Sequence, residues 1–184
     1  GLGDEYKRQG FCYILNSQTT SIPSMRVDER CFADALEVCP IGVLLARGIG
    51  ERLSRFSGAA LIIDYASAHP GLSFQAVRAH SSVNPLISPG ESDLSCAVDF
   101  EVFGQAAGVA GARVHGPVPQ GSFLSSLGIE QRAATLTKEA NPEMACVVLQ
   151  SKNRLIEPEF MGQLFNVLAI SSPDILLVEG FDIK

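Results

Sequence analysis

Three observations predict an α/β domain for this 184-residue chain. Helix and strand signals alternate along it, 46% of its residues are hydrophobic, and 17 Gly and 10 Pro punctuate the pattern. The apolar share is enough for a real core, whereas so many turn formers argue against a smooth helical bundle. The length suits one compact domain better than two substantial ones.

Residues 10–15, GFCYIL, read as a short strand, and the following NSQTTSIPS has loop composition. Asp28 can cap a short helix within 26–36. In EVCPIGVLLARGIGERLSRF, Pro40 suits an early helical position, and Val43, Leu44, Ile49, Leu53 and Phe56 make a partial apolar face. Gly48 and Gly50 weaken that helix. After Gly58, the run ALIIDY (60–65) reads as a parallel strand covered by helices on both faces.

Residues 73–98 are too irregular for one long element. Asp99 or the turn before it starts a helix to about Ala110, packed through Val102, Phe103, Ala106 and Ala107, with Gly108 and Gly111 at its end. GARVHGPVPQ reads as a strand and a turn; Ser122 then caps a helix whose Leu124 and Leu127 face inward. Further helices are expected near 130–140 and 143–155, separated by Asn141-Pro142. GQLFNVLAI is another strand, and residues 173–184 form a terminal strand or docking tail.

The net charge of −6 gives no long-range field that would gather nucleic acid. The apolar runs are far shorter than a membrane helix. The five cysteines form no close pair of the zinc-ribbon or redox type, which favours reduced core thiols and no metal site. Cys39 in particular reads as a small buried side chain. The chain opens Gly1-Leu2-Gly3-Asp4-Glu5, as expected of an internal portion, a processed product or a trimmed chain.

Several blocks occur together and in order: ALIIDY (60–65), SFQAVRAH (73–80), NPLISPGESDLSCAVDF (84–100), GPVPQGSFLSSLGIEQRAATL (116–136) and MGQLFNVLA (161–169). In these the chain resembles the MidA/NDUFAF7-like family of S-adenosyl-L-methionine (SAM)-dependent methyltransferases, matching its C-terminal half. The resemblance implies part of a class I, Rossmann-like methyltransferase fold with helical insertions. It implies SAM as cofactor, and arginine methylation of a protein substrate, a respiratory complex I core subunit, during assembly in the mitochondrial matrix. Bacterial relatives make the bacterial cytoplasm the alternative location. Residues 37–170 would be the methyltransferase-like core, 1–36 a remnant or connecting segment, and 171–184 the tail.

Two departures from the family pattern stand out. The Gly-rich strand-turn-helix that grips SAM has no equivalent here, since Gly1-Leu2-Gly3 lacks a preceding strand. Catalysis is therefore expected to need an upstream half, supplied covalently or as a separate chain. Ala66 stands where the resemblance leads one to expect glycine, adding a methyl group near the ligand.

Methyl transfer to arginine needs shaped acidic groups that orient a planar guanidinium, and no metal. Asp64 is the first candidate, because strands of α/β sheets deliver polar residues to a crevice at their C-terminal ends. Its other reading is a strand-end or capping carboxylate. Asp93 and Asp99 can join it around a guanidinium, with Asp99 equally readable as a helix cap. His80 can order that network. Glu37, Tyr65, Arg78 and Gln120 are the cofactor-binding candidates, each with a structural reading beside it: helix-start electrostatics, packing, a surface ion pair and loop hydrogen bonding.

The principal competing function is a noncatalytic assembly or interaction protein that retains the methyltransferase-like core. Methyl transfer to a small molecule or nucleic acid is a third.

Overall fold

A computed structural model describes residues 10–13, 37–66 and 73–181. Its elements run α1 (Pro40–Arg55), β1 (Ala59–Tyr65), β2 (Gln75–Arg78), β3 (Ser81–Val83), β4 (Asp93–Ser95), α2 (Phe100–Val109), β5 (Arg113–Pro119), α3 (Gln120–Ser126), α4 (Ile129–Glu139), α5 (Pro142–Ile156) and β6 (Phe165–Ser171), with one π-turn at Pro158–Gly162. This is an α/β fold, as the alternating signals predict. It divides into two compact units, one holding 10–13, 37 and 73–97, the other 38–66 and 98–181.

The larger unit is built on a three-stranded sheet of order β1-β6-β5. β6 runs antiparallel to both neighbours, so β1 and β5 are parallel to each other with the last of the described strands between them. β6 is central and buried along Val167–Ser171. One sheet face carries Leu168 and Ile170, which pack with Leu53 of α1 and with Phe100 and Ala107 of α2. Ala60 and Ile62 of β1 join that cluster.

Helix starts follow local chemistry. Pro40 sits at the first position of α1, Asp99 Oδ1 accepts from Val102 N–H at 3.1 Å, and Asn141 Oδ1 accepts from Met144 N–H at 2.9 Å. α1 runs unbroken through Gly48 and Gly50, and Gly50 is where α2 presses closest: a Cβ there would lie 2.5 Å from the Ala107 carbonyl oxygen.

Several expectations are corrected. β1 is an antiparallel partner of β6 with no second strand on its other edge among the described residues, where the continuous apolar run suggested a fully covered parallel strand. Leu44 and Phe56 point to solvent; the buried face of α1 is Ala46, Gly50 and Leu53. In α3 it is Phe123 that is buried, against Phe181 with ring centroids 5.2 Å apart, while Leu127 is exposed. Cys39 is exposed, and its Sγ accepts from Gly42 N–H at 3.3 Å as the cap of α1. Cys12, Cys96 and Cys146 are exposed too, outside any core. Residues 10–13 form no strand, and the helix expected at 26–36 lies outside the described residues.

The smaller unit centres on a second antiparallel sheet, β3-β2-β4. Arg78 pairs with Ser81 across a two-residue turn in which Ala79 (φ 48°) and His80 (φ 62°) both take left-handed conformations, the geometry of a type I′ hairpin. The short strands explain why periodicity gave no signal over this segment.

Candidate functional site

In the larger unit, the C-terminal end of β1 meets the start of α2. Val98 N–H donates to the Tyr65 carbonyl at 2.9 Å, and Ala66 bridges Val98 in parallel register. That pairing sets Asp64 and Tyr65 beside the segment that ends in Asp99, so two of the three candidate aspartates flank one strand-to-helix junction.

Asp64 is exposed and accepts from the Tyr65 N–H at 2.7 Å, which fixes its carboxylate at the strand end. Its cross-strand partner is Asn166, and Tyr65 stacks at a tilt on Phe165 with centroids 4.4 Å apart. Asp99 caps α2, where the positive end of the helix dipole favours its charge.

Ala66 accommodates its methyl without strain. Positive φ among the described non-glycine residues falls only at Ala79, His80 and Ser88, and Ala66 packs against the core cluster instead. The glycine expected there is not required by the backbone.

Gln120 is buried at the β5-to-α3 junction, and its Nε2 donates to the Leu155 carbonyl at 2.9 Å, tying α3 to the end of α5. Gly121 and Gly162 make that approach possible. A Cβ on either would fall within 2.4 and 2.1 Å, respectively, of the Ile156 carbonyl oxygen.

The smaller unit holds the other four candidates. Glu37 accepts from both the hydroxyl and the N–H of Ser73, and from the Phe74 N–H at 2.8 Å. Partial burial pushes its carboxyl pKa up, but these hydrogen bonds prevail and hold it below the ordinary glutamate value. The Ser73 hydroxyl in turn accepts from Ala97 N–H at 2.8 Å, so Glu37 anchors both ends of the β2–β4 segment. Ser73 was not a sequence candidate; its only signal was its place at the head of the SFQAVRAH block.

Arg78 pairs with Glu91 at 2.9 Å, with both side chains more than half exposed. His80 is exposed in the hairpin turn, and Asp93 is exposed on β4 opposite Val77. Glu37, Arg78, His80 and Asp93 thus belong to one unit, and Asp64, Tyr65, Asp99 and Gln120 to the other. Among the described residues, no cluster of three or more His, Cys, Asp or Glu is arranged to hold a metal ion, and no helix is long and apolar enough to cross a membrane.

Comparison with known proteins adds what the geometry alone does not. The family described as "Putative S-adenosyl-L-methionine-dependent methyltransferase" matches residues 6–118. A Xenopus laevis protein named "Protein arginine methyltransferase NDUFAF7, mitochondrial" is 31% identical over 162 residues, which cover 86% of this chain and 36% of that protein. The Drosophila melanogaster homolog of that name is 33% identical over 177 residues, 91% of this chain and 39% of its own length. A Burkholderia thailandensis crystal structure bound to S-adenosyl-homocysteine superposes with a TM-score of 0.66 at 25% identity, covering 85% of this chain and 41% of that one. The chain therefore spans well under half the length of these relatives.

Proposed function

Because the chain belongs to the S-adenosyl-L-methionine-dependent methyltransferase family matched over residues 6–118, we propose that it forms part of a protein arginine methyltransferase. The observation that carries this reading is the 31% identity over 162 residues to a relative named for that activity. Support for the cofactor comes from the structural relative that binds S-adenosyl-homocysteine, the product that SAM leaves after methyl transfer.

Within this reading, residues 37–170 are the methyltransferase-like core, and Asp64 and Asp99 are the first-choice carboxylates for orienting a guanidinium. Aligning one nitrogen with the methyl donor matters more than removing its proton, given the very high arginine pKa. Asp93 and His80, in the smaller unit, are further substrate-side candidates, and Glu37, Tyr65, Arg78 and Gln120 are cofactor-side candidates, of which Glu37 and Gln120 act by fixing backbone within their own units through the bonds described above. The relatives' names favour a mitochondrial location. The finer proposal is a matrix enzyme acting on a complex I core subunit during assembly, with its SAM site completed by further sequence.

The test is a chimera in which this chain replaces the 162 matched residues of the Xenopus laevis relative. Calorimetric SAM binding, followed by mass-spectrometric detection of methylarginine on the acceptor, is the expected result. A folded chimera that binds no SAM would sink the enzymatic reading and favour a noncatalytic assembly protein.

A further inference from the structure

Several segments of the larger unit meet at one end of its sheet. The C-terminal ends of β1 and β5 and the N-terminal end of β6 share it, since Tyr65 lies opposite Phe165 and Pro119 opposite Asn166. The π-turn Pro158–Gly162 follows α5 and leads into β6 at the same end. Leu164 makes the join, its carbonyl accepting from the Ala66 N–H at 2.9 Å. Asp64, Tyr65 and the π-turn therefore border one rim.

The backbone of that turn is firmly held. The Glu157 carbonyl accepts from the Phe160 N–H at 3.1 Å and from the Gly162 N–H at 3.0 Å. Gly162 is buried against the Ile156 and Glu157 carbonyls with no room for a Cβ, and Gln120 ties the end of α5 to α3. Phe160 is the exception to this burial. Its backbone leaves helical geometry at φ −116° and ψ −118°, and its side chain is 56% exposed. Leu164, between it and β6, is 48% exposed. A phenyl ring carried on so fixed a backbone and left half in water is area that contact with another molecule would stabilise, at little cost in ordering the ring.

Charge indicates what kind of molecule. The stretches that build the rim, 59–66, 98–103, 118–124 and 156–166, hold Asp64, Asp99, Glu101, Glu157 and Glu159 and no Lys, Arg or His. A rim of one sign favours a cationic occupant. Reach then relates the ring to the carboxylates. Phe160 precedes Leu164 by four residues, which keeps it within about 14 Å of that residue, itself bonded to the end of β1. An extended peptide advances about 3.3 Å per residue, so one whose arginine meets Asp64 sets a side chain on Phe160 within about four positions of that arginine.

We propose that Phe160 is a specificity-determining residue for the acceptor. Its ring takes an apolar side chain that neighbours the arginine to be methylated, so the favoured substrate is an arginine segment with a leucine-sized flank rather than a polar one. The π-turn fixes where that contact falls, while Asp64 receives the arginine. This inference rests on the proposed function in taking an arginine-bearing segment as the occupant.

The experiment uses the chimera described above, saturated with S-adenosyl-homocysteine, and two labelled synthetic peptides. Each carries a single arginine; one has leucine at alternate positions on both sides of it, and the other has serine at those positions. Fluorescence anisotropy is expected to show the leucine peptide binding at least about fivefold more tightly, as burial of an apolar side chain on the ring would give. Phe160→Ala brings the two affinities to within about twofold of each other. Phe160→Leu keeps an apolar contact and retains the preference, which separates loss of the ring from any disturbance of the turn. Val109→Ala, an exposed substitution at the far end of α2, leaves the preference as in the parent. A preference that survives Phe160→Ala would overturn the proposal, as would a parent that binds the two peptides equally or binds neither. The two readings fail separately. A Phe160-dependent preference with no methylarginine formed from SAM leaves the acceptor contact standing and removes the enzymatic reading; methylation of both peptides without that preference does the reverse.

Discussion

Glu37 and Ser73 are joined twice, the carboxylate accepting from both the serine hydroxyl and its backbone N–H. With the Phe74 N–H this gives one side chain three donors, and its pKa falls below the ordinary value of about 4.3. A depressed folded-state pKa contributes stability that is complete above the unfolded value and is lost as pH falls through the folded one. Protection of the Ser73, Phe74 and Ala97 amides against hydrogen exchange is therefore expected to hold at neutral pH and to decline below about pH 4. Glu37→Gln should weaken that protection at neutral pH and abolish its acid dependence. Identical pH profiles for the two proteins would remove Glu37 from this anchoring role.

Gly48 and Gly50 of α1 should respond in opposite directions to the same change. Gly50→Ala sets a methyl against the Ala107 carbonyl and Ala110 and should cost about 1–3 kcal/mol through overpacking. Gly48→Ala meets nothing and should gain up to about 1 kcal/mol from helix propensity. Urea unfolding of both variants decides the matter, and a stabilising Gly50→Ala would contradict the α1–α2 contact.

Gly121 and Gly162 crowd a single atom, the Ile156 carbonyl oxygen. Alanine at either position forces backbone to move and should destabilise by about 2 kcal/mol or more, as strained special positions do. Because one displacement of Ile156 relieves both clashes, the double variant should lose less than the two single losses added together. Strict additivity in a thermal or urea double-mutant cycle would show that the two contacts are independent.

Asp99 has a capping role and a proposed substrate role, and two substitutions separate them. Asp99→Ala should cost about 1 kcal/mol of stability by removing the acceptor for Val102 N–H. Asp99→Asn keeps an equally good cap, so its stability should stay within about 0.5 kcal/mol of the parent, while arginine methylation by the chimera should fall at least about tenfold. Unimpaired methylation by the asparagine variant would leave Asp99 as a cap alone.

Helix boundaries were the most legible part of this sequence, since Pro40, Asp99 and Asn141 act through local bonds that a window of a few residues contains. β1 was legible as a strand but not in its pairing: its partner lies about a hundred residues on, with Tyr65 opposite Phe165, and no local pattern carries that register. The same apolar run that suggested full coverage instead faces an open edge. Leu44 and Phe56 misled for a related reason, because hydrophobicity marks a surface to be covered without saying whether this stretch of chain covers it. Of the candidate residues, the place of Asp64 at the end of β1 was legible from strand-end logic, whereas the tie of Glu37 to Ser73 needs a third-dimensional contact between two loop positions. Periodicity does not report such contacts.

The position of β6 has a consequence for biosynthesis. Both outer strands of the larger sheet are made before the strand that joins them, so β1 and β5 leave the ribosome with no hydrogen-bonding partner in that sheet until residues 165–171 emerge. A nascent chain stopped at Leu164 would expose the apolar sides of two unpaired strands, a substrate for chaperones or aggregation. Seven residues thus decide whether β1 and β5, both made before them, are joined into one sheet.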